Sequence, residues 1–381
     1  MSKPKVLFEA SPMLDIKKTG VGYYMEQLIS SLDQTHGSQL DMTGYYFDFL
    51  NRNNKVSPSM PGVTFKKIVY TPGKILSLCR RLRFQPLLDV FIRQSADIVL
   101  YTNYVSLPSL SSHKTAIIIY DLSFLDHPEY LQTVNLNYLQ RFCPPSIKKA
   151  DLIITISEFT KARILHYFPG ITADIIVTPI PPAPARPAGQ LNARLSGLGI
   201  KPSQYILYLG TIEPRKNIQN LVKAYSLLPE TTRNQHALVL AGGKGWKDEA
   251  IHDEISRAKQ RGHNIIETGY ISDDEKAQLY AHSSCFVLAS HYEGFGMPIL
   301  EAMQYQTPVL VSDIPVFHEV AGNAAVFFDQ NSPASMTSQL DALLADPARR
   351  KVLTDRGIKR LENFSWTDNA NIVHQAFQSL L

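Results

Sequence analysis

Two glutamates, Glu293 and Glu301, stand eight positions apart in the stretch HYEGFGMPILEAM, on either side of Gly294-Phe295-Gly296-Met297-Pro298. Ionised carboxylates only accept hydrogen bonds, which suits them to sugar hydroxyls. The glycines let a ligand or a backbone approach closely. Pro298 fits the first position of a helix that Ile299, Leu300, Ala302 and Met303 continue. Such a helix start offers N–H groups and a positive dipole end to an anion. The stretch therefore predicts an anionic ligand flanked by Glu293 in the loop and Glu301 in the first helical turn. The plainer reading leaves Glu301 to complement the helix dipole and Glu293 to face solvent.

A second cluster lies in GTIEPRKN, residues 210–217. Arg215 and Lys216 precede a helix whose apolar face is Ile218, Leu221, Val222 and Tyr225, with Asn217 as the expected cap. Two fixed cations suit a diphosphate, Arg through a fork of donors and Lys as a point charge. A surface ion pair with Glu213 is the rival reading. A third glycine stretch, TGVGYYMEQLISSL, places Gly20 and Gly22 before a helix. Neither it nor Gly243-Lys244-Gly245 has the third glycine of a dinucleotide fingerprint. The chain also lacks G-x-S-x-G, H-E-x-x-H, a Walker A sequence and any D-x-D pair. Serine hydrolase, zincin and P-loop chemistries are thereby disfavoured, as is a metal-dependent sugar-nucleotide site.

These residues must be held by strand ends, because ligands of open α/β sheets gather there. Short β-branched runs alternate with segments of helical period, the pattern of a parallel sheet covered on both faces. In the first half the runs are 5–10, 96–102, 116–121, 152–157 and 174–180. In the second they are 205–211, 237–243, 264–270, 285–290, 308–313 and 324–329. Between the sets, Pro181, Pro182, Pro184 and Pro187 fit a stiff linker and no sheet or helix interior. The expected domains are 1–185, on the acceptor side, and 186–363, on the donor side. A final helix, 364–381, is capped by Ser365 or Thr367 and anchored by Trp366.

With 381 residues, 44% of them hydrophobic and 19% charged, the chain has the composition of a two-domain globular protein. No apolar run reaches the roughly eighteen residues of a membrane span. The opening MSKPKVLFEA has no signal-peptide character, so a cytoplasmic location is expected. Cys79, Cys143 and Cys285 are scattered and suggest neither a disulfide framework nor a zinc site. A net charge of +4 gives no argument for nucleic acid. Lys66, Lys67, Lys74, Arg80, Arg81, Arg83 and Arg93 face one acid, Asp89, with Ile75, Leu78 and Leu82 at helical spacing. This basic stretch reads either as a solvated helix face or as contact with an anionic membrane surface or a lipid-diphosphate acceptor.

EGFGMPILEAM resembles the E-x7-E motif of the family 4 retaining glycosyltransferases, and GTIEPRKN resembles their diphosphate-binding loop. The resemblance continues through TGVGYY, YDLSFLDHPE, ADLIITISEFTK, TGYISDDE and TPVLVSDIPVFHEV, over nearly the whole chain. It implies the GT-B architecture: two Rossmann-like domains facing across a cleft, with the last helix crossing back onto the first. It further implies that Arg215 and Lys216 hold the donor diphosphate, Glu301 the ribose and Glu293 the transferred sugar. Backbone N–H groups of Gly294, Phe295, Gly296 and Met297 would reach sugar and phosphate, Gly22 would approach the diphosphate, and Tyr270 and Ile271 would line the nucleobase. No metal or other cofactor is expected.

The chain departs from the family at Tyr120-Asp121, where many relatives have His-Asp. Asp121 acting on the acceptor hydroxyl and Tyr120 supplying only a hydrogen bond both remain open, and Asp121 joins Glu293 and Lys216 as a catalytic candidate. The implied function is transfer of a hexose, with mannose from GDP-mannose favoured by family analogy, to a saccharide or lipid-linked acceptor in surface polysaccharide assembly. An inner membrane face would be the natural place for a lipid-linked acceptor. The competing readings are a sugar-nucleotide epimerase or hydrolase on the same scaffold, and a non-catalytic glycan-binding subunit.

Overall fold

The structure, a computed structural model, describes residues 3–14, 19–48, 60–69, 85–92 and 94–381. The chain divides into two units, residues 1–180 with 365–381, and residues 181–364. The division falls at the start of the proline-rich stretch rather than at 185.

Among the described residues, the first unit holds a seven-stranded sheet of β1 (Lys5–Glu9), β2 (Asp41–Phe47), β3 (Val63–Ile68), β4 (Ile98–Tyr101), β5 (Lys114–Ile119), β6 (Leu152–Thr155) and β7 (Asp174–Val177). Their order is β3-β2-β1-β4-β5-β6-β7, and every neighbouring pair is parallel. β4, β5 and β6 are apolar throughout their centres because both faces are covered; Ile117, Ile118 and Ile119 are fully buried. β2 and β3 were absent from the sequence expectation. β3 is an edge strand whose VTFKKI alternates in burial, and its lysines give it a polar character that blunts the edge. Lys66 and Lys67 therefore lie on a strand, where Lys66 bonds Gln94 and Lys67 approaches Asp48 at 3.6 Å. Lys74, Arg80, Arg81, Arg83 and Arg93, with the helix expected among them, lie outside the described residues.

The terminal helix Trp366–Leu380 belongs to this first unit. Ser365 caps it by accepting the Asp368 N–H. It packs along the Gly20–His36 helix: the Ser31 hydroxyl donates to the Trp366 carbonyl at 2.9 Å, Tyr23 and Tyr24 surround the Trp366 ring, and His36 stacks on His374 at 3.9 Å. Asn369 donates to the Pro179 carbonyl at 2.6 Å.

The second unit holds β8 (Tyr205–Leu209), β9 (Ala237–Ala241), β10 (Ile265–Gly269), β11 (Cys285–Leu288), β12 (Val309–Ser312) and β13 (Ala325–Phe328). All six match the sequence expectation. The order β10-β9-β8-β11-β12-β13, entirely parallel, is the doubly wound nucleotide-binding order with its reversal between β8 and β11. GTIEPRKN and HYEGFGMP follow those two strands. The charged segment after residue 346, for which no helix was expected, is the helix Pro347–Leu361. Only Leu353 and Gly357 are buried on it, so its apolar stripe is too thin to read. Gly357 allows close packing on the Met297–Gln304 helix, since a Cβ there would meet the Met303 side chain at 3.0 Å.

Candidate active site

After β8 the chain passes through Gly210 into a 3-10 turn, Pro214–Lys216, which aims Arg215 and Lys216 from the strand end. Asn217 is no side-chain cap. It takes left-handed backbone, φ 58°, and its amide donates to the Gln330 carbonyl at 2.8 Å. Asn tolerates that conformation, which turns the chain sharply into the Ile218–Leu227 helix. The expected cap is thus a left-handed turn residue tied to a neighbouring loop.

After β11, Gly296 takes φ 110° at the start of the helix Met297–Gln304. A side chain there would strain the backbone, and its Cβ would meet the Phe317 ring at 2.9 Å. Pro298 is the second residue of that helix, one place beyond the expected first, and Glu301 lies outside its first turn. With the helix beginning at Met297, Glu301 sits one turn later, and the first turn carries no acid. Its role as a dipole partner therefore falls away. Phe295 is buried against Phe364, so this residue presents its backbone rather than its ring.

The two loops meet in a compact charged cluster. Arg215 donates from Nη1 to Glu293 Oε2 at 2.6 Å and to the Tyr292 carbonyl at 3.0 Å, while Nε and Nη2 reach Glu213 Oε1 at 3.1 and 2.9 Å. The Lys216 ammonium and the Ser290 hydroxyl, the latter at 2.8 Å, donate to Glu293 Oε1. The pairing of Arg215 with Glu213 exists, but it is buried: the Glu213 side chain is 3% exposed. Burial opposes ionisation of Glu293, yet Arg215 and Lys216, with the bonds from Lys216 and Ser290, hold its carboxyl at about 2. Burial, then the charge of Arg215, pushes the Lys216 ammonium down against the support of Glu293.

Glu301 has its own clamp from the helix Asp273–His282. Lys276 donates to Oε1 at 2.8 Å and Tyr280 to Oε2 at 2.9 Å. The two donors stand one turn apart on one helix face. Burial, then Glu301, raises the Tyr280 phenol far above its usual range, so it acts as a fixed donor. Burial weakens the Lys276 ammonium, but Glu301 outweighs it and raises its pKa. That helix starts in a capping box between Ser272 and Glu275, directly after Tyr270 and Ile271. Tyr270 is 72% exposed and Ile271 half-buried. The second unit thus joins Arg215, Lys216 and Glu293 in one cluster, with Gly294 to Met297 following Glu293 in the chain, and holds Glu301 in a separate clamp. Sequence reading missed Ser290, Lys276 and Tyr280. The one available signal was the i, i+4 spacing of the last two behind a recognisable cap.

Gly22 and Asp121 belong to the first unit. Gly22 lies inside the first turn of the Gly20–His36 helix rather than in a loop, and its N–H donates to the Thr19 side chain at 3.4 Å. Asp121 follows β5 and accepts the Ser123 N–H at 2.9 Å. Tyr120 is buried against Tyr24 and Tyr104, and its hydroxyl donates to the Thr102 carbonyl at 2.9 Å.

Two doubly wound units, one carrying a cluster of two cations and two carboxylates at its switch point, define a GT-B-type protein. Residues 196–360 match the family model of the group 1 glycosyl transferases. O-antigen chain mannosyltransferase B of Escherichia coli is 30% identical over 397 aligned positions, covering 99% of this chain and 100% of the relative. O-antigen chain mannosyltransferase RfbU of Salmonella typhimurium is 25% identical, covering 72% and 75%. Sucrose-phosphate synthase from Thermosynechococcus elongatus superposes with a TM-score of 0.71 at 16% identity, covering 100% and 99%, and shares the fold. The chain belongs to the group 1 glycosyltransferases, of the family 4 type whose motifs it carries.

Proposed function

We propose that the protein is a retaining, metal-independent hexosyltransferase that moves mannose from GDP-mannose to a saccharide or lipid-linked saccharide in surface polysaccharide assembly. The observation that carries the transferase reading is the pairing of two cations and two carboxylates at the ends of β8 and β11, the switch point of a nucleotide-binding sheet. The mannose assignment rests on the full-length likeness to an O-antigen mannosyltransferase.

In this reading Arg215 and Lys216 grip the diphosphate, Glu301 the ribose, Glu293 the hexose hydroxyls, and Tyr270 and Ile271 border the base. Gly22 is assigned to the diphosphate, as the family resemblance implies. The bond from C1 to the phosphate oxygen breaks while the acceptor oxygen bonds C1 on the same face. The acceptor proton passes to the departing phosphate, and fixed cations with the helix start stabilise the negative charge that develops there. Asp121 is assigned to orienting the acceptor hydroxyl. A cytoplasmic enzyme visiting the inner membrane face would meet a lipid-linked acceptor. Among the described residues no helix is long and apolar enough to cross a membrane.

The test is incubation with GDP-, UDP-, ADP- and dTDP-sugars, with and without EDTA, and with mannose-bearing acceptors. Expected are release of GDP from GDP-mannose that survives EDTA and a product with the donor's α configuration by NMR. Loss of turnover in EDTA that added metal restores would remove metal independence; a β product would remove retention.

A further inference from the structure

Glu293 is required to do two things at once. As a sugar ligand it must present acceptor lone pairs to hydroxyls, yet both of its oxygens already receive donors. Oε1 takes the Lys216 ammonium and the Ser290 hydroxyl, and Oε2 takes Arg215 Nη1 at 2.6 Å. Arg215 is equally committed, and Lys216 gives one of its three N–H groups to Glu293. Glu213 holds Nε and Nη2 of Arg215, and Glu293 shares Nη1 with the Tyr292 carbonyl. Two positive charges are balanced by two negative ones within one buried cluster. A diphosphate arriving there meets donors that an internal anion already uses.

We propose that Glu293 is the internal competitor of the donor diphosphate: carboxylate and phosphate compete for the same two cations, Arg215 and Lys216, and seating the phosphates hands Glu293 to the sugar. The proposal rests on the reading of this cluster as the diphosphate site. Glu213 does not exchange. It lies on the same short turn as Arg215, its side chain is 3% exposed, and it keeps the guanidinium oriented. Glu293 lies in the loop between β11 and the next helix and is the more exposed of the two carboxylates, at 11%.

This exchange separates substrate from product. A nucleotide sugar displaces the carboxylate and also supplies hydroxyls that receive it. A free nucleoside diphosphate displaces it and supplies nothing, so a buried charge is left poorly paired. The cluster therefore disfavours the leaving nucleotide once the sugar has gone, which assists its release.

The experiment compares wild type, Glu293→Gln and Glu293→Asp by titration calorimetry with inorganic pyrophosphate, GDP and GDP-mannose. Pyrophosphate reports on the cations whatever base the site prefers. Glu293→Gln should bind pyrophosphate and GDP about tenfold tighter than wild type, because one competing charge at contact distance has gone. Its preference for GDP-mannose over GDP should shrink by a similar factor, and transfer should be lost. Glu293→Asp, which keeps the charge on a shorter arm, should show a smaller gain, and it carries the test if the glutamine variant does not fold. Weaker or unchanged pyrophosphate binding in a folded variant overturns the competitor role while leaving the diphosphate site intact. Pyrophosphate bound by neither wild type nor variant overturns both the proposal and the site reading beneath it.

Discussion

The sheets of the two units share one winding, yet their carboxyl ends are filled in opposite ways. In the second unit the loops after β8 and β11 store charge, with Arg215 paired to Glu213 and Glu293 and Lys216 to Glu293, and the helix that follows carries Glu301, clamped by Lys276 and Tyr280. In the first unit the ends of β4, β5 and β7 are closed by rings and neutral bonds, through Thr102, Tyr120 and Thr178. Tyr24 stands edge-on to Tyr120 at 5.6 Å and bonds Thr178 at 2.5 Å, while Tyr120 bonds the Thr102 carbonyl. Buried charge stabilises a fold poorly, because desolvation offsets most of the attraction. A neutral seal does the structural work with less opposition. The contrast separates what the winding requires from what is added to it, and it places the buried ion pairs in the loops of one unit rather than in the fold.

The largest effect should follow from breaking the charged cluster on its cationic side. Lys216→Ala leaves Glu293 with Arg215 and Ser290, and removes a cation from the leaving diphosphate. Transfer should fall about a hundred- to a thousand-fold, as for a lost donor to a developing anion. Removing one partner of a buried pair should also lower stability by about 3–5 kcal/mol. Steady-state kinetics and urea unfolding read the two separately. Lys216→Arg should recover stability better than turnover, since a planar fork replaces a point charge.

Acid should act on the same cluster with a defined sign. The Glu293 carboxyl is held at about 2 in the folded protein, below its ordinary 4.5. Its contribution is therefore fully present above about pH 5 and is lost as the pH falls from 4.5 toward 2. The stability gap between wild type and Glu293→Gln, followed by thermal unfolding, should be widest near neutrality and close across that window. A gap that does not change with pH would remove the ionised carboxylate as its cause.

A smaller effect is expected at Glu301, whose carboxylate is positioned rather than neutralised by several cations. Tyr280→Phe removes one of its two donors and leaves the ring stacked on Tyr305. The donor KM should rise about three- to tenfold, a lost hydrogen bond to a charged group, with kcat little changed. Discrimination between ribo- and 2′-deoxyribonucleotides should narrow in step. A fall in kcat with KM unchanged would move Tyr280 from positioning the ribose carboxylate to the chemistry itself.

The charged loops were legible in the sequence because their signals are local. Glycine, proline and paired charges directly after a β-branched run need only a strand end to give them meaning, and all six strands of the second unit supplied one. What lay hidden depends on distant chain. Lys276 and Tyr280 reach Glu301 across the packing of two helices, and nothing in the linear stretch names their target. Asn217 looked like a cap and is a left-handed turn held by Gln330. The Pro347–Leu361 helix hides its contact in one glycine, and β3 hides its strand character behind edge lysines.

Tyr120 gives the smallest expected change and the sharpest check on the comparison. The family resemblance leads one to expect a histidine at this position, so a chemical role is the natural suspicion. Its ring is buried between Tyr24 and Tyr104, and its hydroxyl points inward to a backbone carbonyl. Burial raises the phenol far above its usual range, so it does not trade protons near neutral pH. Tyr120→Phe keeps the ring and removes one neutral hydrogen bond, which should lower stability by about 1 kcal/mol or somewhat more, because the Thr102 carbonyl is left with a partner missing. Turnover and donor KM should stay within about twofold of wild type, the scatter expected for a change that touches no reacting atom. If instead kcat falls a hundredfold with stability intact, the neutral seal of the first unit is itself part of the chemistry, and the division between a charged donor face and a structural counterpart fails at this residue.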